Sequence, residues 1–190
     1  VGNPVEINQY CFAPLIEKAT AYNNITIYEN LAFVAIDYYG MEILDISDPM
    51  NINQLGWWHP DTWSDTTNDY TVWANSQGHA NELAYDPLCK MIYIAAGRSD
   101  VVAISVADPS DPVTCQVYGT ANDNYGTWGL DLFHDTVYVA YIWTFIFPPF
   151  SNYTGFAELA TNACNATPVE IIESETPFVI TPNPFSDEIN

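Results

Sequence analysis

The stretch Phe33 to Gly56, FVAIDYYGMEILDISDPMNINQLG, returns sixty residues later as Tyr93 to Gln116, YIAAGRSDVVAISVADPSDPVTCQ, without a gap. Val34 falls on Ile94, Ala35 on Ala95, Ile46 on Val106, and the turn Asp48-Pro49 on Asp108-Pro109. Self-similarity at a fixed spacing is the signature of a repeat architecture, and it sets the reading of everything around it.

Working outward, the first copy reads ITIY, the turn Glu29-Asn30, LAFVAID, Tyr38-Tyr39-Gly40, then MEILDIS ending at Asp48-Pro49. The second reads NELAYD, Pro87, CKMIYIAA, Gly97 to Asp100, VVAISVA, Asp108-Pro109 and VTCQVYG. Runs of four to eight residues rich in β-branched and aromatic side chains, bounded by turn formers, predict strands joined as an antiparallel meander. A third copy begins at Leu130 with LDLF, His134-Asp135 and TVYVAYIW, where Tyr138 and Ala140 answer Tyr93 and Ala95. Beyond Trp143 the pattern fails, as expected for an interrupted or terminal repeat. Residues 1–24 are irregular. The repeats occupy 25–168, in copies at about 25–58, 79–120 and 126–160, with a Trp-rich insertion at 57–78, and 169–190 form a C-terminal strand or linker.

Lys and Arg total 3 against 24 Asp and Glu, and the net charge of −21 excludes general affinity for nucleic acid or anionic membranes. No apolar window is long enough for a membrane span. The start at Val1, without Met or a basic and apolar leader, is what a processed secreted chain looks like. Cys11, Cys89, Cys115 and Cys164 allow three pairings and contain no C-x-x-C spacing, so disulfides are their expected role, with buried thiols the alternative. Cys89 and Cys115 are expected about two strand spacings apart, roughly 9.6 Å, too far for a bridge without a bulge.

Chemistry is sparse. None of G-x-S-x-G, H-E-x-x-H, G-x-x-x-x-G-K-[ST] or G-x-G-x-x-G occurs. Non-enzyme is therefore the expectation, and a two-carboxylate glycosidase is the remote alternative. His59, His79 and His134 are dispersed, and read as structural rather than metal-binding. Asp61, Asp65 and Asp69 recur every fourth residue, unlike the D-x-D-x-D-G of a calcium loop; they are weak calcium candidates, and no other cofactor is expected. Trp57, Trp58, Trp63 and Trp73 do not recur between copies, and in a long loop they can stack on sugars or anchor a protein. A private mini-core for the loop explains them equally well. Asn24, Asn152 and Asn165 head N-x-T sequons, which would mark surface loops in a eukaryotic secreted chain.

Two resemblances follow. FVAIDYYGMEILDISDP resembles the LVIVD repeat of secreted and surface-anchored bacterial proteins, although the second copy has Ser105 and Ala107 where Asp45 and Ser47 stand. The resemblance implies an all-β, propeller-like array of antiparallel four-stranded blades, here too few to close a ring alone. ITPNPFSDEIN, Ile180 to Asn190, is similar to the opening of the C-terminal sorting domain of type IX secretion cargo in Bacteroidota. Together they imply an exported, extracellular or cell-surface protein, and the second resemblance implies a short O-glycosylation signal that Thr66 and Thr136, each following Asp, match. The expectation is a structural protein that pairs its open edges with other copies, as a homo-oligomer, filament or surface-layer subunit. The alternative is an adhesin that binds a glycan or surface protein through the Trp-rich loop.

Overall fold

The computed structural model describes residues 2–13, 21–59, 80–97, 101–119, 125–143 and 151–161. They form eleven strands and no α-helix. Strands β1 (Tyr22–Tyr28), β2 (Leu31–Ile36), β3 (Gly40–Asp45) and β4 (Asn53–Trp58) make the first sheet, in chain order and antiparallel. Strands β5 (Leu83–Asp86), β6 (Met91–Ala95), β7 (Val101–Ser105) and β8 (Val113–Tyr118) repeat it. Strands β9 (Thr127–Phe133), β10 (Thr136–Tyr141) and β11 (Gly155–Ala160) form a three-stranded third sheet. The expected meanders are present, and β11 is a strand that the sequence pattern did not reveal.

The sheets stack face to face. Phe33, Ala35, Met41 and Ile43 of the first sheet meet Leu83, Ile92, Ile94 and Ile104 of the second. Tyr93, Ala95, Val101 and Ala103, on the opposite face of the second sheet, meet Leu130, Val137, Val139 and Leu159 of the third. Both faces of β2, β3, β6 and β7 are therefore dry, which is why these strands read as continuous apolar runs rather than as alternation. The remaining face of the first sheet, with Val34, Ile36 and Leu44, is covered by Tyr10 and Phe12 from the N-terminal segment.

The repeat extends to turns and irregularities. Ile46 N–H donates to Asn30 O and Val106 N–H to Lys90 O, sixty residues apart at both ends. The register slips between Ile43 and Leu44, and again between Ala103 and Ile104. Asp48 accepts from Met50 N–H at 2.9 Å, and Asp108 from Ser110 N–H at 2.9 Å. These exposed carboxylates are held below their usual pKa by such bonds, from Asn51 and Ser110 first. Where Asp45 accepts Ser47 N–H at 2.8 Å, Ser105 Oγ accepts Ala107 N–H at 3.5 Å, so the divergent copy keeps the acceptor in weaker form.

The joint between sheets also repeats. Ala80 N–H donates to Asp37 O, and Thr127 N–H to Gly97 O. Beside these, Asn23 Nδ2 donates to Ala80 O at 2.9 Å while Asn24 Oδ1 accepts Leu83 N–H at 3.3 Å. At the next joint Asn81 Nδ2 donates to Thr127 O at 3.1 Å while Glu82 Oε2 accepts Leu130 N–H at 3.0 Å. In both cases adjacent side chains clamp backbone groups three residues apart on the next sheet, satisfying edge groups that the ladder leaves open.

Candidate functional site

The structure redistributes the sequence candidates. Trp57 and Trp58 end β4, paired with Glu42 and Met41, instead of opening a loop. Trp58 is 4% exposed in the core between the first two sheets, and its Nε1–H donates to Thr114 Oγ1 at 2.8 Å. It packs, and a ligand does not reach it. Trp57 is half-buried, donates Nε1–H to Tyr39 O at 2.6 Å, and lies against Phe12 and His59 at ring distances of 5.3 and 4.5 Å. Trp63, Trp73, Asp61, Asp65, Asp69, Thr66 and His79 lie outside the described residues. Among the described residues no cluster of His, Cys, Asp or Glu could hold a metal ion.

Cys11 and Cys115 carry free thiols, which corrects the disulfide expectation for these two. Cys115 lies within β8, whereas Cys89 lies in the turn before β6, and β7 separates β6 from β8. Cys89 is not among the free thiols, and Cys164 lies outside the described residues. Asn24 spends its side chain on the Leu83 N–H, so a glycan there would cost the clamp. Asn152 is exposed, Thr136 is half-buried at the start of β10, and Asn165 lies outside the described residues.

One ionisable group escaped the sequence reading. Glu42 lies in β3, where alternation places it on the face under the N-terminal segment, and it is fully buried. Its carboxylate accepts from Tyr10 Oη at 2.9 Å, Gln54 Nε2 at 2.6 Å and Tyr22 Oη at 3.4 Å. Burial raises its pKa, opposed by those three donors. The tyrosines respond in kind: burial raises both Tyr10 and Tyr22, and the Glu42 charge adds to it. This network ties the N-terminal segment to the first sheet. The signal was a lone Glu within an apolar run, Met41-Glu42-Ile43-Leu44, and the topology alone shows what it faces.

Each end of the stack carries exposed apolar side chains. In the third sheet Tyr138 stands opposite Asp131 and Glu158, and Ala140 opposite Gly129 and Phe156, so this row shares the outer face. Phe156 is 60% exposed and its ring is parallel to that of Tyr138, 6.1 Å away. Trp128, in the place of Asn81, is 44% exposed. At the other end Ile25 and Ile27 of β1 stand opposite Val34 and Ala32, and are 57% and 60% exposed.

No match was found among curated proteins. The LVIVD repeat family matches residues 21–56, which span β1 to most of β4. The first sheet is therefore similar to one LVIVD repeat, and the described residues form a propeller-like stack of antiparallel sheets that is not closed into a ring.

Proposed function

We propose that this is an exported, non-catalytic protein that works outside the bacterial cell by contact, assembling with other copies through the faces of its sheets. The observation that carries the reading is Tyr138. Its equivalents Phe33 and Tyr93 are sealed between sheets at 0% and 1% exposure, whereas Tyr138 is half-buried, on a face of the third sheet that no other sheet covers among the described residues. A repeat position that is sealed in two sheets and partly open in the third favours a further protein surface on that face. Export rests on the likeness of Ile180 to Asn190 to a type IX sorting signal, and the strong acidity keeps such a protein off anionic surfaces.

Light scattering across a concentration series tests the assembly: masses above that of one chain are expected, and one chain at every concentration would defeat it. Fractionating a type IX-competent host tests the export. The chain is expected in the medium or on the surface, and retention in the periplasm would defeat that part.

A further inference from the structure

The outer face of the first sheet is sealed differently from the faces between sheets. Phe33 and Tyr93 are each covered by a whole sheet, whereas Ala32, Val34 and Leu44 are covered by Tyr10 and Phe12 of segment 2–13, which forms no strand. Among the described residues no backbone-to-backbone hydrogen bond ties that segment to the sheet. Side chains hold it instead. Asn8 Nδ2 donates to Pro49 O at 3.1 Å, Tyr10 Oη to Glu42 Oε1 at 2.9 Å, and Phe12 N–H to Tyr22 Oη at 2.8 Å, with the Phe12 ring against Trp57. A cover with few buried contacts and no ladder opens at a lower free energy than the sheets beneath it.

Glu42 is the centre of that attachment, and its two oxygens are unequally served. Oε1 accepts from Tyr10 Oη and Gln54 Nε2, at 2.9 and 2.6 Å, whereas Oε2 has Tyr22 Oη at 3.4 Å. The titratable groups that face it are Tyr10 of the segment and Tyr22 of β1; β2 presents Val34 opposite it, and β4 presents Gln54 and Trp57, with His59 against the Trp57 ring. The segment's own acid, Glu6, is exposed and accepts from Gln9 Nε2. No cation acts on Glu42 among the described residues, so its charge is buried against neutral donors alone. With a proton on Oε2 the bonds close. Glu42 O–H donates to Tyr22 Oη, which still accepts Phe12 N–H, and the Tyr22 hydroxyl turns its own hydrogen to Cys11 Sγ, 4.0 Å away. The raised pKa of Glu42, caused by burial, agrees with this geometry.

We propose that segment 2–13 is a strap latched by Glu42: loss of the Glu42 proton to solvent frees Tyr10 and Phe12 and uncovers Ala32, Val34 and Leu44, while the three sheets stay paired. The closed strap holds the proton more tightly than the open one, in which the carboxylate meets water. The strap is therefore shut most firmly below the ordinary carboxylate range, and it loosens as pH rises through the closed-state value. One linked proton changes the closed-to-open ratio by up to about tenfold per pH unit.

Amide hydrogen exchange on the 190-residue chain tests this, read by NMR as the protection of Phe12 N–H relative to its intrinsic rate at each pH. Ala95 N–H, which donates to Glu82 O at 2.8 Å in the second sheet, is the internal control. From about pH 4 to about pH 8, Phe12 protection is expected to fall at least about tenfold while Ala95 protection holds. Glu42→Gln, neutral at every pH, is expected to keep Phe12 protection at its acid value throughout. Tyr10→Phe, which takes a donor from the charged carboxylate, is expected to deepen the fall. A flat Phe12 profile in the wild type, or an equal fall in Glu42→Gln, overturns the latch. A fall that Ala95 shares overturns the strap, because the sheets then open with it. Should Glu42→Gln lose Ala95 protection as well, Tyr10→Phe decides, and a fall no deeper than that of the wild type overturns the proposal.

Discussion

The Glu82 carboxylate accepts the Leu130 N–H at 3.0 Å, reaching from the second sheet to the third. It does so across Gly129, where a Cβ would stand 2.7 Å from Glu82 Oε2. The glycine is thus part of the joint rather than a weak point in β9.

Gly129→Ala is expected to push the carboxylate off the Leu130 N–H, costing about 1 to 3 kcal/mol, as for a buried donor left without its charged acceptor. Chemical denaturation measures it. Glu82→Gln, which keeps an acceptor of the same length, is expected to cost less. Equal losses in the two variants would argue against the clamp.

Gly56 lies against Pro109 O, in the Asp-Pro turn of the neighbouring sheet, close enough that a Cβ would overlap backbone. Backbone cannot swing aside as a side-chain tip can, so Gly56→Ala is expected to cost about 1 to 3 kcal/mol through overpacking. A thermal melt of the variant at the wild-type value would contradict this contact.

Glu42 and the turn aspartates predict opposite pH dependence. A raised carboxyl pKa means that the folded state holds the proton more tightly, so this contribution is present at low pH and is lost as pH rises through the folded value. Asp45, Asp48 and Asp108 are lowered, so theirs is present above the ordinary carboxylate range and is lost as pH falls through their folded values. Melting temperatures of wild type and Glu42→Gln should converge on acidification and separate toward neutral pH, with the variant the more stable there. Parallel curves would show that Glu42 is not the titrating group.

Alkylation of the folded protein is expected to label Cys11 and Cys115 and to spare Cys89. Cys89 is then expected in a linked peptide. A non-reducing digest is expected to yield that linked peptide. Three or four labelled thiols would rule it out.

Much of the fold was legible because β strands buried on both faces need long apolar runs and tight turns need particular residues. FVAID, MEILD and Asp48-Pro49 carry that information locally, and a repeat states it twice. The third sheet was only partly legible, since β11 follows a stretch with no Asp-Pro turn to announce it. The site was less legible still. Trp57 and Trp58 read as loop because they do not recur, yet pairing with Glu42 and Met41 makes them the end of a strand.

By itself, the sequence determined the repeat, its strands and turns, and the acidity that excludes general affinity for nucleic acid or anionic membranes. Only the tertiary structure decided which copies of a repeated residue are sealed and which are partly exposed. Phe33, Tyr93 and Tyr138 are alike in the chain, and a neighbour covers the first two. Burial belongs to the stack of sheets rather than to the residue, and for the same reason the Asn23-Asn24 and Asn81-Glu82 clamps became visible only once the next sheet was in place.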